Sequence, residues 1–137
     1  MITIKARYKG ELECEAIHIK SGHKIETDAP VDNNGKGSRF SPTDMLSASL
    51  GMCMMTIMGI AAENHGFSID NTEMEITKIM ASDPRRVSEV IIDIHFPPNN
   101  YSDKEKKIIK RSAQTCPVNM SLSPELKRSI TFHFKEA

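Results

Sequence analysis

A long uncharged segment in the middle of the chain most constrains what it can fold into. No side chain between Asp44 and Glu63 is charged, and residues 42–65 read PTDMLSASLGMCMMTIMGIAAENH. Its apolar residues recur at three- and four-residue steps, which is typical of a helix. We therefore predict a long apolar helix over Pro42–His65. Its only cysteine, Cys53, is either core filling or the centre of a site with apolar walls.

The ends of this helix carry clear start and stop residues. Ser41 is placed to cap it, Asp44 lies in capping-box position, and Gly66 follows its last turn. The helix would be roughly 36 Å long, about the diameter of a compact domain of this size. A helix that is apolar nearly all round must be covered on every side. Ser47 and Gly51 would let another helix approach closely, and we predict a homodimer in which a second copy supplies the missing cover.

Composition narrows the class of protein. The 137 residues suit one domain with a real core. Basic and acidic residues balance, 18 against 18, which argues against a nucleic-acid or membrane-surface partner. The uncharged run just reaches membrane-spanning length, but it contains Ser, Thr and Gly and lacks flanking aromatic residues. The start MITIKARY has no basic-apolar leader, so we expect a cytoplasmic protein with three free thiols.

Shorter elements flank the central helix. Alternating apolar residues predict five strands, and a capping box at Ser102 predicts a second helix that ends near Thr115 before a proline. The predicted order is β-β-β-α-β-β-α-β, an α+β fold in a single domain over residues 1–137. The strands, with a sixth at the end of the chain, are Ile2–Tyr8, Glu11–Lys20, His23–Asp28, Phe67–Met80, Val87–Phe96 and Ile130–Phe134.

Two cysteines are the candidates for chemistry. Cys53 shares a predicted helix face with Leu46, Leu50, Ile57 and Ile60, so it points where the helix packs. A mid-helix thiol gains nothing from the helix dipole, and a reactive Cys53 would need a nearby cation.

Cys116 falls at the predicted end of the second helix, where the dipole opposes a thiolate. That environment suits a resolving thiol better than an attacking one. The two sulfurs would meet if the second helix packs across the first. Arg39, in the loop before the central helix, is the nearest basic candidate in sequence to Cys53.

The residues alone leave a structural role open. A free cysteine among aliphatic residues is usually packing, and Cys14, on an alternating strand face, is assigned to the core. The five histidines fall at no metal-ligand spacing with each other or with the cysteines, so no metal site is expected.

Two segments together resemble a known family. SPTDMLSASLGMC (residues 41–53), followed by CPVNMSL (residues 116–122), is similar to the OsmC/Ohr family of osmotically induced and organic-hydroperoxide-resistance proteins. The resemblance implies an intertwined homodimer in which antiparallel sheets from both chains wrap two long central helices. It also implies that Cys53 is the peroxidatic thiol and Cys116 its resolving partner.

The chain departs from the better-studied members at two places. They have a glutamate directly after the helix-opening proline, where this chain has Thr43, and Asp44 comes one residue later. Their activating arginine lies in the N-terminal strands or the following loop, which makes Arg39 the first candidate here, with Arg7 and Lys9 as rivals. The chain is more similar to the less-characterised branch of the family.

The function that the resemblance implies is a thiol-dependent peroxidase for organic hydroperoxides. Cys53 would become a sulfenic acid, Cys116 would resolve it, and an external dithiol would reduce the disulfide, with no metal, flavin or haem cofactor. Met52, Met55 and Ile57 would form the substrate pocket. Two alternatives stay open: a non-catalytic dimer that binds a small apolar ligand, with structural thiols, and a thiol hydrolase or acyl-transfer enzyme, which would need a base near Cys53.

Overall fold

The computed structural model describes residues 1–136, which contain six strands and three α-helices. The predicted order β-β-β-α-β-β-α-β is confirmed, with an additional short helix before the last strand. By its internal contacts the chain divides into two compact units, of which the first ends at Leu46 and the second begins at Ser47. The elements are β1 (Ile4–Gly10), β2 (Glu13–His18), β3 (Lys24–Asp28), α1 (Pro42–Asn64), β4 (Glu73–Ala81), β5 (Arg86–Phe96), α2 (Asp103–Ala113), α3 (Pro117–Ser121) and β6 (Lys127–Phe134).

The first unit is built on a three-stranded antiparallel sheet in the order β1-β2-β3. Alternation places a row of acidic and basic residues on one face, where Glu15 accepts from Arg7 at 2.8 Å and from Lys24 at 3.1 Å. Cys14 lies on the other face and is half-buried, so its assignment to the core was too strong for this chain.

The loop from β3 to α1 is fastened to the end of β3. The buried carboxylate of Asp28 accepts hydrogen bonds from the Ser38 backbone N–H at 3.1 Å and hydroxyl at 2.6 Å. These bonds lower the pKa of Asp28 below its ordinary value. The loop also passes so close to itself that a Cβ on Gly35 would lie 1.8 Å from the Ala29 carbonyl oxygen. The segment that carries Arg39 is therefore held at a defined place in its unit.

Helix α1 begins as predicted. The Ser41 backbone N–H donates to Asp44 Oδ2 and the Asp44 backbone N–H donates to Ser41 Oγ, both at 3.0 Å, which is a reciprocal capping box. Within residues 1–136, α1 is the one helix long and apolar enough to cross a membrane, a test that soluble core helices also pass. One third of its apolar window is buried. The buried side chains are Ser47, Leu50, Gly51, Met54, Met58 and Ala62.

Gly51 serves a different contact from the one expected. It faces strand β4 rather than another helix, and a Cβ there would lie 2.6 Å from both Ile76 Cδ1 and Met74 Sδ. The missing side chain therefore lets α1 approach the second sheet closely. This approach decides which side of α1 becomes the buried side.

The second unit carries a mixed sheet in the order β4-β5-β6. Strands β4 and β5 are antiparallel, but β5 and β6 run parallel, with Ile92 opposite Ile130 and Phe96 opposite Phe134. The expectation of purely antiparallel sheets was wrong here, because α2 lies between β5 and β6 in sequence and provides the crossover that a parallel pair needs.

The strand boundaries differ most from the prediction at the starts of β4 and β6. Strand β4 starts at Glu73 instead of Phe67, because residues 69–72 form a turn in which Thr72 Oγ1 donates to the Ile69 carbonyl at 2.6 Å. Strand β6 starts three residues early, at Lys127.

Helix α2 lies against strand β6 of this sheet. Its own capping box joins Ser102 and Glu105, and Ile109 and Ala113 are fully buried. The Lys106 ammonium lies 5.1 Å from the centroid of the Phe134 ring. The helix ends at Ala113, before the expected Thr115, and this shorter end changes the surroundings of Cys116.

Candidate functional site

Cys53 occupies the middle of α1 and is half-buried. The helix packs through the side that contains Leu50, Met54 and Met58, so Cys53 lies at the border of the buried stripe. The helix face that periodicity predicted to be buried is therefore rotated about the helix axis from the face that is buried in the structure. Ile60, which belongs to the predicted face, is 50% exposed. The reason is the close approach of β4 at Gly51, which no helical periodicity reveals.

Cys116 is fully buried, and its place in the fold differs from the prediction. It is not in the last turn of α2 but is the N-cap residue of α3, where its Sγ accepts a hydrogen bond from the Asn119 backbone N–H at 3.3 Å. The expected influence of the α2 carboxyl end was therefore wrong.

The structure brings these two thiols together. The side chains of Cys53 and Cys116 are neighbours in the second unit, close enough for Cys53 to influence the pKa of Cys116. Burial raises the pKa of the Cys116 thiol above its ordinary value, the bond from Asn119 N–H opposes the rise, and the neighbouring Cys53 adds to it. Cys116 is thus a thiol held neutral beside a second, more exposed thiol.

Arg39 lies in the first unit, among carboxylates. Its Nε is 3.0 Å from Glu26 Oε2 and its Nη1 is 3.8 Å from Glu13 Oε2. The rival cations Arg7 and Lys9 are likewise paired with glutamates of that sheet. All three candidates are therefore ordered by ion pairs within the first unit.

The predicted pocket residues lie outside the buried stripe of α1. Met52 is 56% exposed, and Met55 and Ile57 are half-buried. Met120, in α3 and close in sequence to Cys116, is 73% exposed. The second unit therefore presents uncovered apolar side chains on the segments that carry both cysteines.

Two residues beside Cys116 were missed from the sequence. Arg128 Nε donates to Asn119 Oδ1 at 2.8 Å and Arg128 Nη2 donates to the Asn119 carbonyl at 3.0 Å. The Asn119 side-chain amide in turn donates to the Gln114 carbonyl at 3.0 Å. The sequence did contain a clue, because Arg128 is in phase with the inward-facing Ile130 of β6, and a cation at an apolar strand position needs partners.

Metal binding finds no support in the side chains that the structure describes. Within residues 1–136, no group of three or more His, Cys, Asp or Glu is placed to hold a metal ion.

Comparison with known proteins gives one family. Residues 35–131 match the sequence profile of a family described as OsmC-like protein. A protein of Psychrobacter arcticus assigned to the osmotic-stress-induced and detoxification response has a solved structure with 50% identity and a TM-score of 0.93, and the match covers 97% of this chain and 96% of that one.

More distant structures share the fold. An organic hydroperoxide resistance protein OsmC of Legionella pneumophila has 15% identity and a TM-score of 0.74, with 97% of this chain and 98% of that chain covered. An OsmC-like protein of Mycoplasma pneumoniae has 23% identity and a TM-score of 0.75, with coverage of 96% and 94%. No curated protein matches the chain.

Proposed function

Because this chain belongs to the OsmC-like protein family, we propose that it is a thiol-dependent peroxidase that reduces organic hydroperoxides. The observation that carries the proposal is the proximity of Cys53 and Cys116, two residues far apart in sequence. Neighbouring thiols of this kind can cycle between a dithiol and a disulfide, which is the chemistry that a peroxidase with two cysteines requires.

The first step belongs to Cys53. Its thiolate attacks one oxygen of the hydroperoxide; an S–O bond forms, the O–O bond breaks, and the alkoxide takes up a proton and leaves as an alcohol. The peroxide gains two electrons, and Cys53 becomes a sulfenic acid. The half-exposed position of Cys53, against the complete burial of Cys116, supports this assignment.

The second step belongs to Cys116. Its raised pKa keeps it from competing for peroxide. Once Cys53 is a sulfenic acid, the Cys116 sulfur attacks the Cys53 sulfur; an S–S bond forms, the S–O bond breaks, and the hydroxyl leaves with the thiol proton as water. An external dithiol then reduces the disulfide by thiol–disulfide exchange. The electrons come from thiols, so the cycle needs no metal, flavin or haem.

Activation of Cys53 calls for a cation, because an ordinary thiol is only a few per cent thiolate at neutral pH. We propose Arg39 for this role, as the loop that carries it is fastened to Asp28. The test compares Arg39→Gln with Arg7→Gln and Lys9→Gln. Arg39→Gln alone is expected to slow the oxidation of Cys53 by peroxide, and an equal rate in all three variants would reject Arg39.

The proposed substrate class rests on the apolar side chains of the predicted pocket. Met52, Met55 and Ile57 offer apolar surface to a substrate, which favours an organic hydroperoxide over hydrogen peroxide. The exposed apolar side chains of α1 also support a homodimer, because a soluble protein rarely leaves such surface uncovered. Sedimentation of the protein as a monomer at micromolar concentration would contradict the dimer.

The decisive experiment mixes the reduced protein with a slight excess of cumene hydroperoxide and follows the intact mass. The wild type is expected to lose two hydrogen atoms and to contain a Cys53–Cys116 disulfide. Cys116→Ser is expected to stop at a sulfenic acid that dimedone traps. Cys14→Ser, the matched control, removes the thiol of the first unit and should react as the wild type does.

The same experiment decides against the proposal if peroxide leaves the wild type unchanged or if Cys53→Ser reacts at the wild-type rate. Unchanged thiols would make both cysteines structural. The exposed apolar side chains Met52 and Met120 would then favour the alternative function, a dimer that binds a small apolar ligand.

A further inference from the structure

From the contacts around Cys116 we infer that Asn119 and Arg128 are positioning residues for the resolving thiol, a role that rests on the proposed function. The Asn119 backbone N–H donates to Cys116 Sγ at 3.3 Å. A donor aimed at a sulfur favours its thiolate over its thiol. The amide therefore stabilises the charge that the Cys116 sulfur must carry when it attacks.

Arg128 holds this amide in place. Two of its donors engage Asn119, at 2.8 Å to Oδ1 and 3.0 Å to the carbonyl oxygen. Its Nη1 donates to the Ser123 carbonyl at 2.8 Å and to the Leu126 carbonyl. One guanidinium thus fixes both Asn119 and the segment between α3 and β6. The planar fork of an arginine can make these bonds simultaneously, whereas a lysine ammonium cannot reproduce them.

The Asn119 side chain is also held by a hydrogen bond to the chain before Cys116. Its side-chain amide donates to the Gln114 carbonyl at 3.0 Å, at the end of α2. The residue therefore bridges the chain before Cys116 and the strand after it, with its backbone N–H left to point at the sulfur. Loss of either tether frees the amide to move, and the thiolate loses part of its stabilisation.

The step that depends on this arrangement is the condensation. The Cys116 thiolate attacks the sulfenic sulfur of Cys53, the S–S bond forms, and hydroxide leaves and is protonated to water. Peroxide attack on Cys53 does not use the Asn119 amide. A defect in Asn119 or Arg128 should therefore slow the second step and spare the first, which a general loss of packing would not do.

The test that needs no peroxide titrates Cys116 alone. In the Cys14→Ser, Cys53→Ser background, ultraviolet absorbance follows the formation of the Cys116 thiolate with pH. Arg128→Gln and Asn119→Ala are each expected to move the midpoint to higher pH. Lys127→Gln, the matched control one residue away on an exposed side chain, is expected to leave it unchanged.

Two results would overturn the inference. One is an unchanged midpoint in both variants while circular dichroism reports a native fold. The other is a shift in Arg128→Gln with none in Asn119→Ala, because the guanidinium charge alone would then explain it. Asn119→Ala changes no charge and stays informative even where Arg128→Gln does not fold.

A kinetic experiment on the otherwise intact protein completes the test. With dimedone trapping of the sulfenic acid, Arg128→Gln is expected to form it at the wild-type rate but to convert it to disulfide about tenfold more slowly. Equal slowing of both steps would assign Arg128 a purely structural role. If the wild type ignores peroxide, the proposed function fails, while the thiolate titration still decides the role of Asn119 and Arg128.

Discussion

Gly51 allows the packing of α1 on β4 to be tested quantitatively. In Gly51→Ala the new Cβ would lie 2.6 Å from Met74 Sδ and 2.6 Å from Ile76 Cδ1, so both side chains must move. Such overpacking typically destabilises a protein by about 1–3 kcal/mol, whereas alanine in a helix is better than glycine by about 0.8–1.0 kcal/mol. The variant is therefore expected to be less stable than the wild type by about 1 kcal/mol.

Gly59→Ala is the matched control in the same helix. A Cβ at residue 59 meets no atom within 4 Å in the chain, so this variant gains the helix contribution alone and should be more stable than the wild type. Because both variants share that gain, the difference in their unfolding free energies isolates the packing contribution at Gly51. We expect this difference to be about 1–3 kcal/mol.

Urea denaturation followed by circular dichroism, at equal protein concentrations, measures both values. The reasoning is refuted if the two variants differ by less than about 0.5 kcal/mol, the usual limit of such additivity arguments. In an Ile76→Val background, which lacks the Cδ1 atom, the penalty of Gly51→Ala should shrink. A full penalty there would mean that Ile76 is not the neighbour that opposes the new methyl group.

Two further predictions concern pH. Hydrogen bonds from Ser38 lower the pKa of Asp28. They therefore stabilise the fold at pH values above the unfolded-state pKa of about 3.9, and this stabilisation is lost as pH falls through the lower folded-state pKa. Ser38→Ala should therefore be less stable than the wild type at neutral pH, with a deficit that shrinks in acid; a deficit independent of pH in acid unfolding followed by circular dichroism would contradict this. Burial raises the pKa of Tyr101, and the Tyr101 hydroxyl donates to the Ser68 carbonyl at 2.7 Å. The neutral Tyr101 side chain therefore stabilises the fold fully below a pH of about 10, and this stabilisation is lost as pH rises through the folded-state pKa. Tyr101→Phe should cost about 1 kcal/mol at neutral pH and weaken the alkaline loss of stability in thermal melts, and an unchanged alkaline slope would refute the assignment.

Features with a local cause could be predicted from the sequence. The capping boxes at Ser41 and Ser102 depend on residues three positions apart, and both helices begin where those residues placed them. The alternation of apolar and polar residues in β5 likewise predicted which face of that strand is buried. The start of β4 was missed because the residues before it also alternate, while a turn with Asn71 at positive φ interrupts the extended chain.

Features that depend on distant segments could not be predicted in this way. The orientation of Cys53 follows from the approach of β4 to Gly51, and the cap formed by Cys116 follows from the early end of α2. The role of Arg128 requires β6 to lie parallel to β5 and beside α3, a relation that no local pattern encodes. Helical periodicity placed Cys53 on the right helix but Cys116 at the end of the wrong one, and tertiary contacts determined the surroundings of both.

The parallel placement of β6 also has a consequence for how the protein is made. A ribosome delivers Cys116 before Arg128, and synthesis proceeds at about 5–20 residues per second. Pairing of β6 with β5 joins segments separated by α2 and α3, and such non-local contacts form late because a long loop must first close. The newborn chain therefore passes through a period in which Cys116 lacks the guanidinium that holds its hydrogen-bond donor. The hydrogen bonds that Arg128 donates to Asn119 form only when this last strand has docked.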